Sequence, residues 1–236
     1  MNEPVRVLLG VALLLVSVVV HEVAHGWVAH LCGDNTAKEA GRLTLNPLKH
    51  LDPVGSLLLP ILFYMAGGFF FAFAKPVPYN PLRLRNRRRD EVLVALAGPA
   101  SNLLQAALGA AVFTGVLALV EHNPTLLMGR AVALGMTWPE LVADVATSYV
   151  LVNLSLAFFN LIPLPPLDGS KVLCLFLKGE ALQRYYVVQR YAMPILIAAL
   201  FLLPRLGIDP VSDYLNLTVN GVYRLLMLPA MSILGY

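Results

Sequence analysis

The chain has 236 residues, 58% of them hydrophobic and 13% charged, with a mean hydropathy of +0.72. A water-soluble domain carries about 25% charged residues, so this composition excludes one and predicts an all-α protein crossing the membrane about five to six times. The net charge of +3 is local: Arg83, Arg85, Arg87, Arg88 and Arg89 lie beside apolar segments, which marks a cytoplasmic loop and argues against nucleic acid as a partner.

The first apolar segment, 5–31, is too long for a signal-peptide core and no cleavage pattern follows it, so it reads as a retained helix. Cys32 just beyond it and the distant Cys174 offer no disulfide framework, and both are expected reduced and buried. The next segment, 54–74, is broken by Pro60 and by Gly67-Gly68. Segment 91–120 is a run of Ala, Leu and Val, and 141–163 ends in the proline-rich stretch Asn160-Leu-Ile-Pro163-Leu-Pro165-Pro166. Segment 191–207 carries Pro194 and Pro204. In the last, 211–235, Asp213, Asn216, Asn220 and Arg224 recur on one helical face. That face suits an interfacial helix or a sixth span with its polar side turned inward. No internal repeat is visible. Residues 1–236 are expected to form a single integral-membrane domain, with a core of about 5–175 and C-terminal helices over about 185–236, and no room for an appended soluble domain.

Charge orients these segments. Loop 75–90 holds Lys75 and five arginines, and loop 32–53 holds Lys38, Arg42 and Lys49, so both should be cytoplasmic. The segment between them should then enter the membrane and turn back, which is tolerated only where protein or a water cavity covers its backbone; the alternative is an ordinary span with 32–53 outside. The re-entrant parity places the end of the first segment and the region after Pro166 at one depth.

Residues 21–25 read His-Glu-Val-Ala-His inside the first apolar segment. Ionisable groups are costly there and signal function. Four residues apart on a helix, His21 and His25 share a face and can meet one zinc ion, with Glu22 beside them to accept a proton from water. Zinc for hydrolysis takes a third protein ligand. His30 is turned about 140° away, His50 and His122 fall in loops, and Cys32 and Glu39 carry no structural cue. Asp168 is the best candidate, because Pro163, Pro165 and Pro166 stop the helix before it and Gly169 allows close packing after it.

His21-Glu22-Val-Ala-His25 together with Asn160-Leu-Ile-Pro163-Leu-Pro165-Pro166-Leu167-Asp168-Gly169 resembles the paired signature of site-2 proteases, the intramembrane zinc metalloproteases. Gly98-Pro99-Ala-Ser-Asn102 matches another motif of that family. Phe73-Ala-Lys75-Pro-Val-Pro78-Tyr-Asn80-Pro81 is similar to its compact bacterial members. The resemblance covers about residues 10–175. It implies a helix bundle with a membrane hairpin after the first helix, one Zn2+ held by His21, His25 and Asp168, and Glu22 as catalytic acid and base. It also implies a membrane-protein substrate with a single transmembrane helix, cleaved within the lipid bilayer of a bacterial cytoplasmic membrane from a site nearer the cytoplasmic face. PDZ or CBS regulation is not expected. Asn102 and Asn160 are the expected contacts around the metal site or to substrate, with helix bridging as the equal alternative. An unwound substrate is expected to add as a strand along 54–81. The rival reading, a zinc or other divalent-cation transporter, would predict paired halves.

Overall fold

The computed structural model describes residues 3–52, 75–127, 130–131 and 136–233. Helix α1 spans Glu3–Leu31 and is followed by a single turn, α2, Thr36–Glu39. Helix α3, Arg87–His122, starts where the Asn86 side chain accepts from the Arg89 amide and Asp90 accepts from the Asn86 amide. Helix α4, Trp138–Leu161, opens on a capping box: Thr137 accepts from the Glu140 amide, and the Glu140 carboxylate accepts from the Thr137 amide. A short helix α5, Gly169–Leu173, leads to α6, Gly179–Leu202, and α7, Pro210–Ile233. The residue pairs β1, Arg130–Ala131, and β2, Met136–Thr137, form a minimal antiparallel ladder.

Among the described residues, α1, α3, α4 and α6 with its extension to Leu206 are long and apolar enough to cross a membrane. The chain is an all-α, polytopic membrane protein. The expected re-entrant stretch, 54–74, lies outside the described residues. Its flanks do not: the His50 carbonyl accepts from the Lys75 amide at 2.9 Å, and the Cys32 carbonyl accepts from the Arg85 amide at 3.0 Å. The chain therefore leaves α1 and starts α3 at one end of the bundle.

Two seams hold the bundle together. In the first, small residues let α3 and α4 approach closely: a Cβ on Gly109 would lie 2.9 Å from Val150 Cγ2 and 3.2 Å from the Ala146 carbonyl. In the second, Leu196 of α6 and Leu215, Val219 and Met227 of α7 pack with Leu154 and Phe159. Helix α7 turns Leu215, Val219, Met227 and Ala230 inward, leaving Asp213, Asn216, Asn220 and Arg224 exposed. The polar face points away from the core, which corrects the inward alternative. Two smaller expectations also change. Cys32 and Cys174 are free but only half-buried, and His122 closes α3 instead of lying in a loop.

Candidate metal centre

Ser17, His21 and His25 recur at four-residue steps on α1 and face α3 and α4. The His25 Nδ1–H donates to the Val94 carbonyl of α3 at 2.6 Å, so in the neutral ring Nε2 carries the lone pair. His21 Nδ1 stands 2.6 Å from Asn102 Oδ1. The two Nε2 atoms are 3.0 Å apart. Pro99 supplies no N–H to its helix, and the preceding Gly98 lies flush against both rings: a Cβ there would stand 2.5 Å from His21 Nε2 and also against His25 Nε2.

Asp168 arrives from the other half of the chain. Helix α4 stops at Leu161, the proline-rich stretch reverses the chain, and Asp168 precedes α5. Gly169 makes this reversal tight, because a Cβ would collide with the Leu161 carbonyl. Asp168 Oδ2 lies 3.2 Å from His21 Nε2 and 3.3 Å from His25 Nε2. The oxygen is buried and accepts no hydrogen bond among the described residues. One ligand atom from each of the three residues falls within 4.8 Å of the others, an arrangement that could hold a metal ion. Two imidazoles and a carboxylate converging on one point also suit a divalent cation with a position left open.

Glu22 borders the same space, and its Oε2 accepts from the Val77 amide at 2.8 Å. Val77 belongs to an extended strap, 75–80, fixed from behind. Arg42 donates to the Lys75 carbonyl at 2.8 Å, and the Asn80 amide donates to the fully buried Asp34. Burial alone would raise the Asp34 carboxyl. Donors from Thr36 and Asn80, with Arg83 nearby, outweigh it and hold the group below the usual carboxylate range. At Tyr79, burial first and then the charges of Glu91 and Asp168 push the phenol up to about 12, so it stays protonated. The strap is a poor edge for strand addition. Pro76 and Pro78 lack N–H groups, Lys75 gives its own to His50, and Val77 gives its own to Glu22. The 54–74 part of that expectation lies outside the described residues.

A cavity of about 990 Å³ opens onto the three residues. Its walls are mainly apolar, from Val11 and Leu14 of α1, Leu156 and Phe159 of α4, and Met193 and Leu196 of α6. Asn160 lines it and donates to its own helix at Leu156 O (3.0 Å), leaving its oxygen without a partner among the described residues. Asn102, by contrast, is engaged with His21. The other residues considered fall elsewhere: His30 bonds Asn35, His50 meets the Thr44 carbonyl, and Glu39 pairs with Arg83. Sequence reasoning missed Ser17, Asn153 and the Val94 carbonyl, and named Gly98 only as part of a family motif. Spacing offered a hint for two of them, since Ser17 is one turn before His21 and Asn153 two turns before Asn160.

Comparison with known proteins adds an independent line. Residues 9–203 match the profile of Peptidase family M50. YwhC of Bacillus subtilis, named a zinc metalloprotease, is 41% identical over 160 residues, covering 68% of this chain and 65% of its own. Rip2 of Mycobacterium tuberculosis strain H37Rv, named likewise, is 32% identical over 193 residues, covering 82% of this chain and 66% of its own. The chain thus spans about two thirds of the length of these relatives. No solved structure matches it. With most of its length under one profile, and the His-Glu-x-x-His helix and the Asp-Gly turn both inside the matched stretch, the chain belongs to Peptidase family M50.

Proposed function

We propose that the protein is an intramembrane zinc metalloendopeptidase that hydrolyses a peptide bond within or near the transmembrane segment of a membrane-protein substrate. The observation that carries this reading is the convergence of His21, His25 and Asp168, from distant parts of the chain, beside Glu22 and an apolar cavity. The donor set fits zinc, as do the names of the relatives. When bound there, zinc supplies the Lewis acidity that polarises a peptide carbonyl and makes water acidic.

The remaining chemistry falls to side chains. Glu22 takes the proton from the attacking water and passes it to the leaving amine. The Val77 N–H occupies Oε2 and orients the carboxylate, leaving Oε1 for proton transfer. Asn102 orients His21, while Asn160 offers its amide oxygen to a substrate N–H. The apolar walls exclude bulk water and accept the side chains of a single-span substrate. The basic cluster supports a position nearer the cytoplasmic face of a bacterial cytoplasmic membrane. Arg85 bonds the end of α1 and Arg88 the Leu175 carbonyl just beyond α5, so the arginines stand at the end of the bundle that holds Asp168.

The test compares Glu22→Gln, His21→Ala and Asp168→Ala with the parent chain in metal content and in cleavage of a reconstituted single-span substrate. Glu22→Gln should keep zinc and lose cleavage; the other two should lose both. Cleavage that survives Glu22→Gln, or zinc that survives both ligand substitutions, would overturn the proposal.

A further inference from the structure

Ser17, Asn102 and Asn153 are fully buried between α1, α3 and α4. They form a continuous line with His21, and the chemistry of each atom fixes where every proton in it lies. The Ser17 hydroxyl donates its single proton to the Leu13 carbonyl at 2.8 Å. Toward Asn153, 2.9 Å away, Ser17 can therefore only accept. The Tyr149 carbonyl, also 2.9 Å from Asn153, can likewise only accept. The end of the Asn153 amide that faces these two groups must be its NH2, and both hydrogens are used there. Its other end, Oδ1, accepts from Asn102 Nδ2 at 2.8 Å. That leaves Asn102 Oδ1 facing His21 Nδ1 at 2.6 Å as an acceptor. Nδ1 must carry a hydrogen, so in the neutral ring Nε2 turns its lone pair toward Asp168 and His25.

We propose that Asn153 is a positioning residue for the metal centre: through Asn102 it holds His21 in the tautomer whose Nε2 binds zinc. This rests on the reading of His21 as a ligand. The two histidines reach the same tautomer by different routes. His25 bonds a main-chain carbonyl directly, whereas His21 is separated from the carbonyls of Leu13 and Tyr149 by two amides and a hydroxyl. An amide is ambivalent, and a lone asparagine beside His21 would serve either tautomer equally well. Asn153 removes the ambivalence. Partners of this kind, behind a metal-binding histidine, typically change affinity about 10-fold to 100-fold when removed.

The test uses the full chain with 15N-labelled histidine, freed of metal, at a pH where both imidazoles are neutral. Nitrogen NMR distinguishes the two tautomers of each ring. In the parent chain both rings should carry the proton on Nδ1. Asn153→Leu keeps the volume but removes the acceptor facing Asn102. His21 should then populate both tautomers, zinc affinity measured against a competing chelator should fall about 10-fold, and kcat should fall with KM unchanged. His25 should keep its proton on Nδ1, held by the Val94 carbonyl, and this reports that the bundle is intact. Asn153→Ala makes the same prediction if the leucine variant does not fold. Asn153→Asp restores an acceptor toward Asn102 and should restore the His21 tautomer and most of the affinity, although its carboxylate sits less comfortably against Tyr149. A purely structural role predicts the reverse order, with leucine the milder change in an apolar bundle. An unaltered His21 tautomer in the leucine variant, or equal losses with leucine and aspartate, would overturn the proposal. Failure of the underlying reading looks different: added zinc would leave the His21 signals of the parent chain unshifted.

Discussion

The seam joining α1, α3 and α4 and the seam joining α6 and α7 to α4 are built on opposite plans. The first buries Ser17, Asn102, Asn153, Gly98 and Gly109 and brings main chains close together. The second fits Leu196, Leu215, Val219 and Met227 side by side. Lipid tails are as apolar as leucine, so the second seam gains mainly packing contacts from closure. The first gains hydrogen bonds with defined directions, and a shift of a fraction of an ångström breaks them. The metal-facing groups sit at the rigid seam, while α6 of the other seam supplies cavity wall. Precision is concentrated where ligand atoms must coincide, and tolerance where a polypeptide must fit.

Three substitutions test this contrast, and a fourth, at Asp34, probes the strap beside the first seam. The largest effect is expected for Gly98→Ala, whose methyl group occupies the space between the two rings. Zinc content should collapse and cleavage fall by about 100-fold or more, with the helical circular dichroism unchanged. Gly109→Leu overpacks α3 against Val150 and Ala146 and should cost about 2–3 kcal/mol, read as a lower melting temperature in detergent. Asp34→Asn should cost about 1–2 kcal/mol at neutral pH, because the donors from Thr36 and Asn80 lose a charged acceptor. The sign of its pH dependence follows from the lowered Asp34 pKa. The stabilisation is present above the unfolded value of about 3.9 and is lost as pH falls through the lower folded value. The gap between parent and variant should therefore close below about pH 4. The smallest effect is expected for Leu215→Ala in the apolar seam: about 1 kcal/mol of lost packing, with cleavage per folded molecule unchanged. Equal sensitivity of the two seams would dissolve the distinction.

The residues nearest the chemistry were the most legible in the sequence. His21, Glu22 and His25 announce themselves by spacing within one helix. Asp168 does so by the prolines that stop α4 and the glycine that lets the chain close behind it. The groups that orient them were not legible. The bonds from His21 to Asn102, from Asn102 to Asn153 and from Asn153 to Ser17 join residues 81, 51 and 136 positions apart. No local pattern encodes such pairs. Val94 contributes a carbonyl, which every residue has. The facing of α7 was equally hidden, because a polar stripe looks the same in sequence whether it turns inward or outward. Only its packing against α3 and α4 decides.

The bond from Val77 to Glu22 has a consequence for mutagenesis. Between Pro76 and Pro78, Val77 bears the only amide hydrogen. Any residue placed at 77 inherits that hydrogen, proline alone excepted. An alanine scan would leave this bond intact at position 77 and register only the loss of the buried valine side chain, because the grip on the carboxylate is written in the peptide backbone. Only Val77→Pro, or an ester replacing that amide, can make the contribution visible.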